Sequence, residues 1–240
     1  MSVVPYKDSG SDKKSQVARM FDSIAGRYDF LNHFLSAGID IYWRRKAIDL
    51  LASTRPTTIL DIATGTGDLA LEAVRLQPRK ITGIDISEGM LRIGQEKVKK
   101  KNLSHLIELH PGDSENIAYP DNHFEAVTVA FGVRNFENLA QGLAEMYRVL
   151  KPGGQVVVLE FSKPRSFPFK QGYNFYFKHI LPRFGKLISQ DQAAYTYLPE
   201  SVQAFPDGLD FIRIFEQAGF KEAQWHSLTF GISSIYTGRK

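Results

Sequence analysis

The spacing of apolar residues changes character along the chain. From Val17 to about Leu51 they recur every three or four positions (Val17, Met20, Phe21, Ile24, Tyr28, Leu31, Phe34, Leu35), which predicts helices. Gly26 and Gly38 interrupt the pattern, so several helices are expected before the first strand. Short apolar runs then alternate with helical stretches. TTILDIA (57–63), ITGIDI (81–86), LIELHPGD (106–113), EAVTVAF (125–131) and QVVVLEF (155–161) read as strands. Between them one helix runs from the Gly65–Gly67 turn to Leu76, a second is capped by Ser87 and reaches about Lys101, and a third spans 138–150 before KPGG. Strands apolar on both faces and separated by helices imply a parallel, doubly wound sheet. After Phe161 the rhythm breaks. Residues 163–205 are rich in aromatics and prolines, a last helix is read over 211–220, and 221–240 reads as two strands around Thr229–Gly231.

The expected fold is therefore α/β: a Rossmann-like, doubly wound, mostly parallel seven-stranded sheet with an antiparallel C-terminal pair and an N-terminal helical extension. Residues 1–14 are polar and read as a flexible tail. The remainder, 15–240, reads as one domain, which suits a chain of 240 residues that is 43% hydrophobic.

Composition narrows the chemistry. The chain has no cysteine, which removes disulfides, thiolate catalysis and Cys-ligated zinc. No H-x-x-x-H or clustered carboxylate pattern suggests a metal site. No run approaches the ~18 apolar residues of a membrane span, and the polar N-terminus is unlike a signal peptide, so a cytoplasmic location is expected. Thirty basic residues against 26 acidic give a net charge of +4, too small an excess to argue for nucleic acid. Lys97, Lys99, Lys100 and Lys101 read as a solvated helix end.

The stretch DIATGTGDLA (61–70) carries the candidate chemistry. A phosphate-binding loop needs a lysine followed by Ser or Thr after its second glycine, and here Asp68 and Leu69 follow Gly67. The dinucleotide fingerprint G-x-G-x-x-G lacks its third glycine. What remains is a strand, a glycine turn and a helix, with an acidic residue, Asp85, 20 positions after Gly65 at the end of the next strand. That spacing suits a carboxylate accepting from ribose hydroxyls. S-adenosylmethionine has a ribose and an adenine but no phosphate, and its cationic groups tolerate acidic neighbours. Asp113 and Ser114 follow the third strand, where they can meet an adenine amine, although Asp113 also suits a loop-capping Asx turn.

Taken together, FDSIAGRYDFLNHFLSAGIDIYWRRKAI, ILDIATGTGDLA, GIDISEGML, FGVRNF, MYRVLKPGGQVVVLEFSKP and YLPESVQAFP resemble the menaquinone/ubiquinone C-methyltransferase family over residues 17–239. GTGD and VLKPGG are shared by many S-adenosylmethionine enzymes; the N-terminal FDSIAGRYDFLN, FGVRN and LEFSKP are specific. The resemblance implies methyl transfer from S-adenosylmethionine to a ring carbon of a polyprenylated quinol, as in demethylmenaquinol to menaquinol. It leaves open a benzoquinol or another lipid acceptor, or a non-catalytic subunit of a quinone-biosynthetic complex. On this pattern Asp61, Thr64, Gly65, Thr66, Gly67, Asp85, Ile86, Met90, Asp113, Ser114 and Ala130 are the expected cofactor residues. Some relatives have a serine where Ala130 stands, so a side-chain hydrogen bond is lost there. Tyr28, Asn32, Phe131 and Arg134 are expected at the substrate, and Arg134, Asn135 and His33 in catalysis. Arg134 would stabilise a developing phenolate, with a salt bridge to Glu137 or Glu145 as its structural alternative; His33 is either a base or a structural histidine. Residues 15–52 would cover the site, and 163–206 would form an aromatic-rich insertion on the substrate side. Lys170, Lys178, Arg183 and Lys186 suggest peripheral contact with an anionic membrane. The oligomeric state, a homodimer included, stays open.

Overall fold

The computed structural model describes residues 3–7, 9–36, 38–176 and 192–240. Two helices, α1 (Lys13–Leu35) and α2 (Ile39–Asp49), precede β1 (Thr58–Ile62). Then follow α3 (Asp68–Ala73), β2 (Lys80–Asp85), α4 (Glu88–Lys100), β3 (Ile107–Pro111), β4 (Phe124–Ala130), α5 (Leu139–Val149) and β5 (Leu150–Phe161). The C-terminal part holds α6 (Phe169–Phe175), α7 (Gln192–Ala204), α8 (Leu209–Gln217), β6 (Lys221–Leu228) and β7 (Ser233–Arg239). The sheet order is β3-β2-β1-β4-β5-β7-β6. The first five strands are mutually parallel; β7 runs antiparallel to β5 and to β6. The winding reverses between β1 and β4, which leaves a crevice at their carboxyl ends.

Alternate residues of one strand feed two cores. Leu60 and Ile62 of β1 pack with Leu143, Met146, Phe211 and Phe215 on one face. Ile59 packs with Trp43, Ala47, Leu69 and Leu91 on the other. A third cluster joins Val17 and Met20 of α1 to Ala194 and Tyr197 of α7.

Several expectations about the first residues change. Gly26 does not interrupt α1, which runs through it: a glycine costs a helix about 1 kcal/mol, and the packing of α1 on α4 and α7 outweighs that. Gly38, at φ 76°, does end the first helical run. α1 starts at Lys13, inside the stretch expected to be a tail. Upstream of it, the Tyr6 amide donates to Gln16 Oε1 (2.9 Å) and Lys7 pairs with Glu200 (2.9 Å). Ser87 caps α4 as expected, accepting from the Met90 amide at 3.2 Å. Lys178, Arg183 and Lys186 lie outside the described residues.

Candidate active site

The loops leaving β1 and β4 face each other across the winding reversal. Both hold a non-glycine residue in the left-handed region, Ala63 at φ 49° and Phe131 at φ 58°. For a bulky aromatic that conformation is costly and is kept only where the surroundings enforce it. Gly132 lets the loops approach, since a Cβ there would lie 2.6 Å from that of Ala63.

The glycine turn is braced from below. Asp61 accepts from the hydroxyls of Thr64 (2.6 Å) and Thr128 (2.8 Å), and burial pushes its carboxyl up to about 6. Thr66 points elsewhere: its hydroxyl donates to Asp29 of α1 (2.6 Å) and accepts from Lys97 (3.1 Å). Asp61, Thr64, Thr66 and Gly67 thus support the turn without lining the cavity beside it. Gly65 does line it, and its amide donates to Asp85 Oδ2 (2.8 Å) while the Ser87 amide donates to Oδ1 (2.8 Å). Burial, with Asp22 nearby, pushes the Asp85 carboxyl up to about 6.

The empty space of this cavity, open solvent at its mouth included, is about 640 Å³. Asp85, Ile86, Met90, Asp113, Ser114 and Ala130 line it from the strand ends. Asn135, expected in catalysis, lines it too; its Oδ1 is buried and has no hydrogen-bond partner. Of the two roles weighed for Asp113, the structure shows the Asx turn, at a residue that lines the cavity. It accepts from the Glu115 amide (2.9 Å), and its other oxygen faces Lys14 of α1 (2.6 Å).

A second, larger chamber, with about 1530 Å³ of empty space when the open solvent at its mouth is counted, adjoins the first and shares Phe21, Tyr28 and Phe131 with it. Its walls include Met20, Ile24, Trp43, Phe161, Tyr173 and Tyr197, with Asn32, Asp40, Arg44 and Arg134 as polar members. Arg134 is almost fully buried. Its Nη1 donates to Glu160 Oε1 (2.8 Å), its amide to Glu160 Oε2 (3.2 Å), and its guanidinium lies over the Phe161 ring. The carboxylate partner is therefore Glu160, not Glu137 or Glu145. Glu160 is completely buried and also accepts from the Phe161 amide (2.8 Å).

His33 lines neither cavity. Its Nδ1 lies 2.8 Å from Asp40, which also accepts from Ser36 and Arg44, so the histidine is engaged as a side-chain partner behind the chamber wall. Of the two readings weighed for His33, the contact the structure shows is this pairing with Asp40, at a ring that lines neither cavity.

Two acidic residues of α1, Asp22 and Asp29, fasten it over the crevice. Asp22 accepts from Ser87 Oγ (2.7 Å) and the Gly89 amide (2.8 Å). Asp29 accepts from Thr66 and from Lys97 (2.8 Å), and Lys97 also pairs with Asp68. Lys97 is thus a hub between α4, α1 and the glycine turn, not part of a solvated end. Asp22 and Asp29 lie seven residues apart, two turns of one helix face, a signal the sequence did contain.

The smaller cavity suits S-adenosylmethionine on the chemistry of its walls. A buried carboxylate ends β2, and an unpartnered amide oxygen and the acidic Asp113, Glu115 and Glu137 lie in the wall. Among the described residues Lys14 is the only basic residue lining it, short of the basic cluster a pyrophosphate needs. Fold and site together define the class of S-adenosylmethionine-dependent methyltransferases. A SAM-dependent methyltransferase from Thermotoga maritima, described as a possible histamine N-methyltransferase, superposes with a TM-score of 0.64 at 19% identity, covering 92% of this chain and 99% of its own. The cyclase SpnF superposes with a TM-score of 0.63 at 20% identity, covering 95% and 96%. These likenesses carry the architecture and not the reaction. Within that class, the profile of the ubiE/COQ5 methyltransferase family matches residues 8–240, and the chain belongs to that family. Relatives include a demethylmenaquinone methyltransferase of Bacteroides fragilis, 51% identical over 99% of this chain and 97% of its own. Another, of Porphyromonas gingivalis, is 48% identical over 99% and 98%. A ubiquinone/menaquinone biosynthesis C-methyltransferase of Geobacter sulfurreducens is 47% identical over 96% and 90%.

Proposed function

We propose that this enzyme transfers a methyl group from S-adenosylmethionine to a ring carbon of a polyprenylated quinol, converting demethylmenaquinol to menaquinol. The names of its relatives support that acceptor. The observation that carries the reading is the shared wall: the cavity beside the glycine turn and Asp85 adjoins, across Phe21, Tyr28 and Phe131, a larger aromatic chamber with a buried arginine. A ring with an apolar tail suits walls so rich in aromatic and aliphatic side chains.

In this reading Gly65, Asp85, Ile86, Met90, Asp113, Ser114, Ala130 and Asn135 hold the cofactor, Asp85 accepting from its ribose hydroxyls. Bound S-adenosylmethionine supplies an electrophilic methyl group on a sulfonium and leaves as the neutral thioether. Tyr28, Asn32 and Phe131 position the quinol ring. A phenolate oxygen makes the adjacent ring carbon nucleophilic. The Arg134 guanidinium offers only donors, so it stabilises that oxygen and does not remove its proton, which passes to water. As the new carbon–carbon bond forms, the S–CH₃ electron pair stays on sulfur, and transfer of the ring proton to water restores aromaticity. The aromatic walls exclude bulk water and strengthen the arginine's effect.

The chamber also bears on where the protein works. Among the described residues no helix is long and apolar enough to cross a membrane. Ile41, Tyr42, Phe167 and Phe230 are exposed large apolar side chains, with Lys46 near the Tyr42 ring and Lys170 exposed close to Phe167 in the chain. Aromatics beside cations suit peripheral contact with an anionic bilayer, where prenylated quinols reside.

The test of the acceptor supplies deuterated methyl-S-adenosylmethionine with reduced short-chain demethylmenaquinone and follows the product by mass spectrometry. A C-methylated naphthoquinol is expected. No transfer to the quinol, with transfer to a phospholipid instead, would overturn the reading.

A further inference from the structure

Most polar side chains of the larger chamber are already engaged. Asp40 accepts from Ser36, His33 and Arg44, and Arg44 also reaches Asp68 (3.3 Å). Thr229 accepts from the Trp43 indole (2.7 Å). Tyr197 of α7 is different. It is 3% exposed, its ring belongs to the cluster with Val17 and Met20, and its hydroxyl has no hydrogen-bond partner. Arg134 Nε, in the same chamber, is also buried and unpartnered.

A buried hydroxyl is normally satisfied, and one left open beside a cavity points to a ligand group. Its polarity can be assigned. Burial pushes the Tyr197 phenol up to about 12, even though the Arg134 cation is near enough to draw it down. At neutral pH it is therefore a proton donor, as is Arg134 Nε. Two unspent donors on side chains that line one chamber, whose other polar members are largely engaged, call for an oxygen that carries, or develops, negative charge.

We propose that Tyr197 donates a hydrogen bond to a ring oxygen of the quinol and, with Arg134, stabilises the phenolate from which the ring carbon attacks. Tyr197 keeps its proton throughout; the quinol proton goes to water. The inference rests on the quinol reading above and adds α7 to the elements that recognise the acceptor.

Three proteins test it: wild type, Tyr197→Phe, and a protein with 3-fluorotyrosine, a more acidic phenol of nearly the same shape, at position 197. Binding of a short-chain demethylmenaquinone is read from quenching of Trp43, which lines the chamber. Turnover of the quinol is read across pH. Tyr197→Phe is expected to bind the quinone roughly tenfold more weakly and to lower kcat/KM roughly 10²-fold, with S-adenosylmethionine affinity unchanged. The acidic limb of kcat, which reports ionisation of the bound quinol, moves to higher pH in Tyr197→Phe and to lower pH with 3-fluorotyrosine. A merely structural tyrosine would move neither limb. Wild-type binding and pH profile in Tyr197→Phe overturn the proposal; should that variant not fold, an unmoved limb in the fluorinated protein does so. Wild type that binds the quinone but methylates no quinol refutes the quinol reading instead.

Discussion

Glu160 offers the sharpest test of how the chamber is built. Its two oxygens receive three donors, from Arg134 Nη1, the Arg134 amide and the Phe161 amide, and it is fully buried. Glu160→Gln keeps the shape but removes the charge and replaces one acceptor oxygen with an amine, so one donor must face another donor. The guanidinium is left buried and uncompensated. Breaking such a pair costs about 3–5 kcal/mol. For a chain of 240 residues each kcal/mol lowers the melting temperature by about 2–4 °C, so a central value of about 4 kcal/mol predicts a fall of about 12 °C. Thermal unfolding followed by circular dichroism measures it, alongside quinol turnover, which is expected to fall as Arg134 loses its fixed position. Replacing both partners, Glu160→Leu with Arg134→Leu, removes the uncompensated charge but leaves the Arg134 and Phe161 amides without their acceptor, at about 1–3 kcal/mol each, so stability is expected to stay below wild type and turnover to be lost. A melting temperature within about 2 °C of wild type for Glu160→Gln would refute the reasoning.

Other outcomes follow from the cofactor cavity and the surface. Asp85 has a raised carboxyl, so its own contribution to stability is fully present below the unfolded value near 3.8 and is lost as pH rises through about 6. The binding role runs the opposite way: S-adenosylmethionine affinity, measured by calorimetry between pH 7.5 and 5, should fall about tenfold per pH unit below 6, and a flat profile would contradict the role given to Asp85. Gly67→Ala forces φ 80° on a side chain and sets a Cβ 3.2 Å from Leu109, which should cost about 1–2 kcal/mol in urea unfolding. Gly65→Ala at φ 56° meets open space, so it should cost less stability than Gly67→Ala and more cofactor affinity. In flotation with anionic liposomes at low salt the protein should move with the lipid, and Phe167→Ser with Phe230→Ser should abolish the shift; no shift for wild type would end the membrane reading.

What the sequence made legible was local or periodic. Strands buried on both faces, the glycine turn and the Ser87 cap all declare themselves within a few residues. What escaped was decided over long separations. Glu160 and Arg134 lie 26 residues apart on different elements, and nothing near either position marks the pair. Thr66, between two glycines, shares their neighbourhood but turns its hydroxyl to Asp29, 37 residues away. Lys97 sits among lysines that do face solvent, so its run hid it. Gly26 was weighed by intrinsic propensity, which tertiary packing overrides. Tyr197 is one aromatic among many in its segment, and only the absence of a partner for its hydroxyl sets it apart.

The wall held in common by the two cavities has a thermodynamic consequence. Phe21, Tyr28 and Phe131 each belong to both cavities, and they are packed side chains, Phe21 against Tyr28 and Phe131 against Trp43 and Phe161. A change at any of the three is therefore felt on both sides of the partition, so donor and acceptor sites cannot be altered independently there. Whatever influence a ligand on one side has on binding at the other through these rings is, by linkage, equal in the opposite direction.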